Sequence, residues 1–135
     1  KILIVEDQLS IQEELRLILE GYGTIDTAGN GKIGVETFRK ALVNQSPYDL
    51  VLLDVQMPEM DGQTALKEMR HVETTWFSAD PFLTRKFACI IMVTSLDDPK
   101  NFMEAYLEGR CNGYITKPFD SGELLEKLRN NKLIQ

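Results

Sequence analysis

The sequence predicts an α/β fold in which helices cover both faces of a parallel sheet. Three observations predict it. The runs at 1–5 (KILIV), 48–53 (YDLVLL) and 89–93 (CIIMV) are almost wholly apolar, as strands buried on both faces are. Between them lie stretches whose apolar residues recur at helical spacing. Each strong run also stops on a polar residue, and an α/β sheet carries its ligands beyond the C-terminal ends of its strands.

The elements follow in order. Strand one, Lys1 to Val5, ends at Glu6-Asp7. From Ser10 onward, Ile11, Leu15, Ile18 and Leu19 mark helix one, which stops at Gly21 and Gly23, either of which suits a C-terminal cap. Thr24 to Ala28 is a weaker second strand, and the turn Gly29-Asn30-Gly31 leads into helix two with Ile33, Val35, Phe38, Ala41 and Leu42. Strand three ends on Asp54. After a loop with Pro58 and Asp61-Gly62, the residues Ala65, Leu66 and Met69 predict helix three, running to about His71. The stretch 71–87, with Trp76, Phe77 and Pro81, reads as an enlarged connection into strand four, and loops of that length are often functional. Strand four ends on Thr94-Ser95. Helix four follows Pro99 and carries Phe102, Met103, Tyr106 and Leu107. Gly113 to Ile115 is a short fifth strand ending near Lys117-Pro118, and Leu124, Leu125 and Leu128 mark helix five. Alternating elements of this kind imply right-handed crossovers and five parallel strands with five helices.

Length and composition agree with a single domain over 1–135: 43% of the residues are apolar and 27% charged. A net charge of −6 argues against direct nucleic-acid binding, which needs clustered Lys and Arg. No run approaches a membrane span, and 1–5 is too short for a signal-peptide core. Cys89 and Cys111 lack metal-type spacing and read as reduced, small hydrophobic residues, in keeping with a cytoplasmic location. Starting without Met inside a strand-like run is expected of a trimmed piece.

Four strand ends aim chemistry at one crevice: Glu6 and Asp7, Asp54, Thr94, and Lys117. Three carboxylates in one place repel one another and call for a cation. Mg²⁺ suits oxygen ligands and would leave Asp54 one oxygen free as a nucleophile. Lys117 and the Thr94 hydroxyl would stabilise charge on a transferring phosphoryl group, so the chemistry suggested is aspartyl phosphorylation. The plainer reading of Asp54 is a helix cap or solvated strand end, and Glu6-Asp7 could likewise cap a helix. His71 reads as a solvated residue near a helix end, while Trp76 and Phe77 suit either a local cluster or a partner.

IVED at 4–7, LLDVQMPEMDG at 52–62, MVTS at 92–95 and YITKPF at 114–119 stand in order at the strand ends, and along nearly its whole length the chain resembles the response-regulator receiver domain. The resemblance implies a doubly wound, flavodoxin-like (CheY-like) sheet in the order 2-1-3-4-5. The family is itself a standard example of that topology, so the order is taken from the resemblance and not from the residues. It further implies that Asp54 is the phosphoacceptor; that Glu6, Asp7, Asp54 and the backbone carbonyl of Gln56 surround Mg²⁺ or Mn²⁺, Glu6 through a water; and that Lys117, Thr94 and Ser95 meet the phosphoryl group. Tyr114 occupies the aromatic switch position and would rotate inward behind Thr94, and Lys117-Pro118 is a candidate cis bond. The implied partners are a sensor histidine kinase or phosphotransfer protein, and an output domain, partner protein or second copy on the face of helix four, strand five and helix five, about Pro99 to Asn130.

Other readings leave different marks. A phosphorylation-independent pseudo-receiver would bind no Mg²⁺, whereas the intact acidic group predicts millimolar binding that Trp76 fluorescence would report if the ring is near. An aspartyl phosphatase would carry a second carboxylate two residues after its nucleophile, and that position is Gln56. A flavin module would need a phosphate loop after strand one, which is missing. Gln56 and Leu96 flank the expected phosphoryl path, and bulky Leu96 is expected to slow hydrolysis.

Overall fold

The three strong apolar runs form the centre of one parallel sheet. The computed structural model describes residues 1–80, 82, 86–95 and 103–134; Pro81, Leu96, Pro99 and Phe102, on which expectations fell, lie outside them. The strands are β1 (Ile2–Val5), β2 (Ile25–Ala28), β3 (Leu50–Asp54), β4 (Cys89–Thr94) and β5 (Gly113–Thr116), in the order β2-β1-β3-β4-β5. The helices are α1 (Leu9–Leu19), α2 (Gly31–Val43), α3 (Gly62–Ala79), α4 (Glu104–Glu108, a π-type turn) and α5 (Ser121–Asn130). Parallel pairing sets Val5 beside Leu53, Leu53 beside Met92 and Thr94 beside Thr116, so the strand ends reach a common edge.

Side chains alternate across the sheet because successive strand residues face opposite ways. Leu3, Val5, Leu53, Met92 and Tyr114 pack with Phe38 of α2 and Leu66 and Met69 of α3. Ile2, Ile4, Leu52 and Ile91 pack on the other face with Leu15 and Leu19 of α1 and Leu124 and Leu128 of α5. Each such fully buried side chain contributes about 1.5–3 kcal/mol, which makes these two layers the main support of the rim that carries the polar residues. Asn30, Asp61 and Asp120 cap α2, α3 and α5, each accepting a backbone N–H from the first turn. Gly21 follows α1 at φ +91°, a conformation that only glycine adopts without penalty.

Two elements depart from the sequence reading. Helix α3 does not stop near His71 but continues to Ala79, turning much of the expected loop into two further helical turns. Arg70 and Glu73 occupy its buried face as an ion pair, 2.7 Å apart with side chains 7% and 2% exposed, and Phe77 continues that face one turn on. Charged residues at core positions hid the apolar period. The described part of α4 buries Ala105, whereas Met103, Tyr106 and Leu107, the apolar residues by which the helix was placed, are exposed. Gly109 follows this turn and lies close against the Leu66 side chain, where a Cβ would crowd it.

Candidate functional site

Four strands, β1, β3, β4 and β5, bring residues at or just beyond their C-terminal ends to the same rim. The Glu6 N–H donates to the Ala28 carbonyl at 3.0 Å, which extends the β1–β2 ladder one residue and fixes where the acidic pair begins. Asp54 is the last residue of β3. Gly62 opens α3 directly against it: a Cβ at Gly62 would lie 2.1 Å from the Asp54 carbonyl oxygen and 2.7 Å from Val55 Cα. The Lys117 N–H donates to the Thr94 carbonyl at 2.6 Å, and the Lys117–Pro118 bond is cis. The Lys117 side chain reaches the carboxylates.

There the ammonium lies 2.8 Å from Glu6 Oε1 and 3.6 Å from Asp54 Oδ1. Glu6 Oε2 accepts the Gln8 N–H at 3.1 Å, and Asp54 Oδ1 accepts the Gln56 N–H at 3.3 Å. One carboxylate oxygen from each of Glu6, Asp7 and Asp54 lies within 4.8 Å of the others. Glu6 and Asp54 are buried and Asp7 is exposed, so the group opens to solvent on the Asp7 side. Burial pushes the Asp54 carboxyl above its ordinary value despite the opposing pull of Lys117. Asp7 is raised too, by desolvation and then by its hydrogen bond with Glu6. Three carboxylates against one ammonium leave two negative charges uncompensated.

An all-oxygen donor set of this charge fits a hard divalent ion. Three carboxylate oxygens this close together are the kind of donors such an ion takes. Glu6, Asp7 and Asp54 are the residues able to hold it, with the Gln56 backbone beside them. Thr94 is fully buried beside this rim. Ser95 is exposed, and its hydroxyl donates to Gln56 Oε1 at 3.2 Å. Tyr114 is 4% exposed and packs in the core on the α2–α3 face of the sheet.

Other expectations fall away from the rim. Trp76 lies 14 residues beyond Gly62 on α3, about 21 Å along the helix axis, too far to report on an ion. His71 is an exposed residue of α3 and joins none of these contacts. Sequence reasoning missed the direct Glu6–Lys117 contact and the close approach of Gly62. The longer arm of Glu6 was a signal for the first, and the Asp61-Gly62 step before a helix was one for the second. Among the described residues no helix is long and apolar enough to cross a membrane.

Comparison with known proteins adds a second line. The response regulator receiver domain family matches residues 2–129. The chain is 33% identical to the chemotaxis protein CheY of Treponema pallidum, over 95% of this chain and 79% of that protein. It is 35% identical to the transcriptional regulatory protein DltR of Streptococcus agalactiae, over 96% of this chain but only 50% of that protein. The chain therefore spans about half the length of several relatives it matches. Among solved structures, chemotaxis protein CheY4 of Vibrio cholerae superposes with a TM-score of 0.75 at 26% identity, covering 96% of this chain and 95% of that one. A structure described as the CheX–CheY–BeF3–Mg²⁺ complex from Borrelia burgdorferi superposes with a TM-score of 0.76 at 27% identity, covering 99% and 89%.

Proposed function

The chain belongs to the response regulator receiver domain family, and from that premise we propose that it is a phosphorylation-activated switch whose phosphoacceptor is Asp54. The observation that carries this reading is the pairing of a buried Asp54 with Lys117 at 3.6 Å beside two further carboxylates. Glu6, Asp7, Asp54 and the Gln56 carbonyl would hold Mg²⁺ or Mn²⁺, directly or, for Glu6, through water. When bound, the ion supplies a Lewis-acid contact that draws charge from the phosphoryl oxygens.

The chain's own residues do the rest. An Asp54 oxygen forms the new P–O bond as the P–N bond of a donor phosphohistidine breaks, its electron pair leaving with the imidazole. Lys117 begins on Glu6 at 2.8 Å and exchanges that partner for a phosphoryl oxygen, so Glu6 stores the ammonium in the resting state. Thr94 supplies a hydroxyl from the adjacent strand end. Converting the Asp54 carboxylate to an acyl phosphate adds about one net negative charge at the rim and spreads it over the phosphoryl oxygens, and the reorganisation of Lys117 and Thr94 is passed to the face of α4, β5 and α5. The partners proposed are a histidine kinase or phosphotransfer protein on the input side and an output domain, partner protein or second copy on that face.

The test is intact-protein mass spectrometry after incubation with acetyl phosphate and Mg²⁺. Wild type is expected to gain one phosphoryl group, a gain prevented when EDTA is present from the start, and Asp54→Asn to gain none. Equal labelling of the two proteins would exclude Asp54 as the acceptor.

A further inference from the structure

The buried ion pair in α3 lies outside the acidic rim, and its bonds end in three separate parts of the chain. Arg70 Nε donates to the Arg110 carbonyl at 3.0 Å. Nη1 donates to Glu73 Oε1 at 2.7 Å and to the Ala88 carbonyl at 2.9 Å, and Nη2 donates to Asn112 Oδ1 at 2.7 Å. Glu73 Oε2 in turn accepts the Ala88 N–H at 2.7 Å, and Asn112 Oδ1 accepts the Ile90 N–H at 2.8 Å. One guanidinium thus fastens the chain just before β4 to the turn between α4 and β5.

That turn is held in an unusual conformation. Arg110 stands at φ +60°, in the left-handed region that a residue with a Cβ keeps only where its surroundings enforce it. The Gly109 N–H closes the π turn on the Glu104 carbonyl at 2.9 Å, and the Cys111 N–H reaches the Ala105 carbonyl at 2.8 Å. π turns are rare and frequently mark functional positions. The Arg70 bond to the Arg110 carbonyl is one of the contacts that enforce this turn. On the other side of the network, Ala88 follows Phe87, which is 51% exposed and packs edge-on against Phe77 at 5.2 Å. A shift at Ala88 is therefore displayed on the surface.

We propose that the last turns of α3 with residues 86–88 form a second phosphorylation-responsive surface, coupled to the α4–β5 turn through Arg70. The proposal rests on the phosphoacceptor reading and adds to it a place where the signal is also read. Displacing the turn moves the Arg110 carbonyl and Asn112 Oδ1 together. Stranding a buried donor is costly, so the guanidinium follows them and draws Ala88 and Glu73 with it.

Hydrogen exchange on the full chain, with and without beryllofluoride and Mg²⁺, tests the coupling. In wild type, activation is expected to change exchange in 109–113 and in 86–88 together. In Arg70→Met/Glu73→Leu, which replaces the pair by apolar side chains and leaves no lone buried charge, 109–113 should still respond while 86–88 exchanges alike with and without beryllofluoride. Arg70→Lys keeps the charge beside Glu73 but loses the planar fork, and should show the same uncoupling in part. A wild type in which 109–113 responds and 86–88 does not would overturn the proposal, as would variants in which both segments respond as in wild type. No response anywhere, with Asp54 unlabelled by acetyl phosphate, would overturn the phosphoacceptor reading and this inference with it.

Discussion

Asp54, the phosphoacceptor proposed above, sits where it works against the stability of its own fold. It is 4% exposed, and burial lifts its carboxyl above the ordinary value of 3.8, so ionising it costs more in the folded chain than in the unfolded one. A carboxyl with a raised native titration supports the fold below its unfolded value and withdraws that support as pH rises through the native one. In EDTA, Asp54→Asn should therefore be more stable than wild type at neutral pH, by about 1 kcal/mol in urea denaturation. The difference should shrink as pH is lowered towards 3.8. Lys117 keeps Glu6 at 2.8 Å in that variant, so no ammonium is stranded. Gly62 is the opposite case, a residue with no side chain whose missing Cβ leaves room for the Asp54 carbonyl oxygen. The obstacle is the Asp54–Val55 backbone, which cannot rotate away, so Gly62→Ala should lose roughly 3 kcal/mol or more in thermal denaturation and lower the rate of labelling by acetyl phosphate.

At the scale of elements, legibility followed burial pattern. β1, β3 and β4 were plain in the sequence because residues apolar on both faces permit little else. The N-caps Asn30, Asp61 and Asp120 stand where turn chemistry would place them. Helix α3 was under-read because its second half is fixed by Arg70 and Glu73, which look like solvent residues until their partners are known, and those partners are up to 42 positions away. The acidic site was legible for the reason α3 was not: its residues sit at strand ends, where chain order dictates spatial convergence. The Glu6–Lys117 contact spans 111 positions and had no local signature. The cap of α3 ties element to site. Asp61 Oδ1 accepts the Thr64 N–H at 2.8 Å, one residue from the Gly62 contact, whereas Asp120 caps α5 through the Glu123 N–H at 2.6 Å away from the carboxylates. Asp61→Ala and Asp120→Ala should each cost about 1 kcal/mol in urea denaturation. Only the first should also slow Asp54 labelling, and equal rates in the two variants would dissociate the α3 start from the site.

For the molecule as a whole, the rim sets a linkage between ion binding and folding. Glu6, Asp7 and Asp54 come from β1 and β3, which are neighbours only in the folded sheet, so the unfolded chain offers no comparable set of donors. An ion that binds the native state alone adds RT ln(1 + [Mg²⁺]/Kd) to its stability. With a dissociation constant on the order of 1 mM, 10 mM Mg²⁺ would add about 1.4 kcal/mol. For a chain of 135 residues that corresponds to a rise in Tm of roughly 5 °C over EDTA. Relieving the repulsion of two surplus negative charges is the source of the gain, so NaCl at matched ionic strength should yield much less of it. Trp76 emission should stay constant through the titration, because its ring lies at the far end of α3; calorimetry and the melting shift are the proper readouts. Asp54→Asn removes one ligand and one charge together, so its melting shift with Mg²⁺ should fall well below that of wild type. Identical melting points of wild type in EDTA and in Mg²⁺ would mean that these carboxylates tolerate one another without a cation, and the metal-dependent step at Asp54 would lose its physical basis.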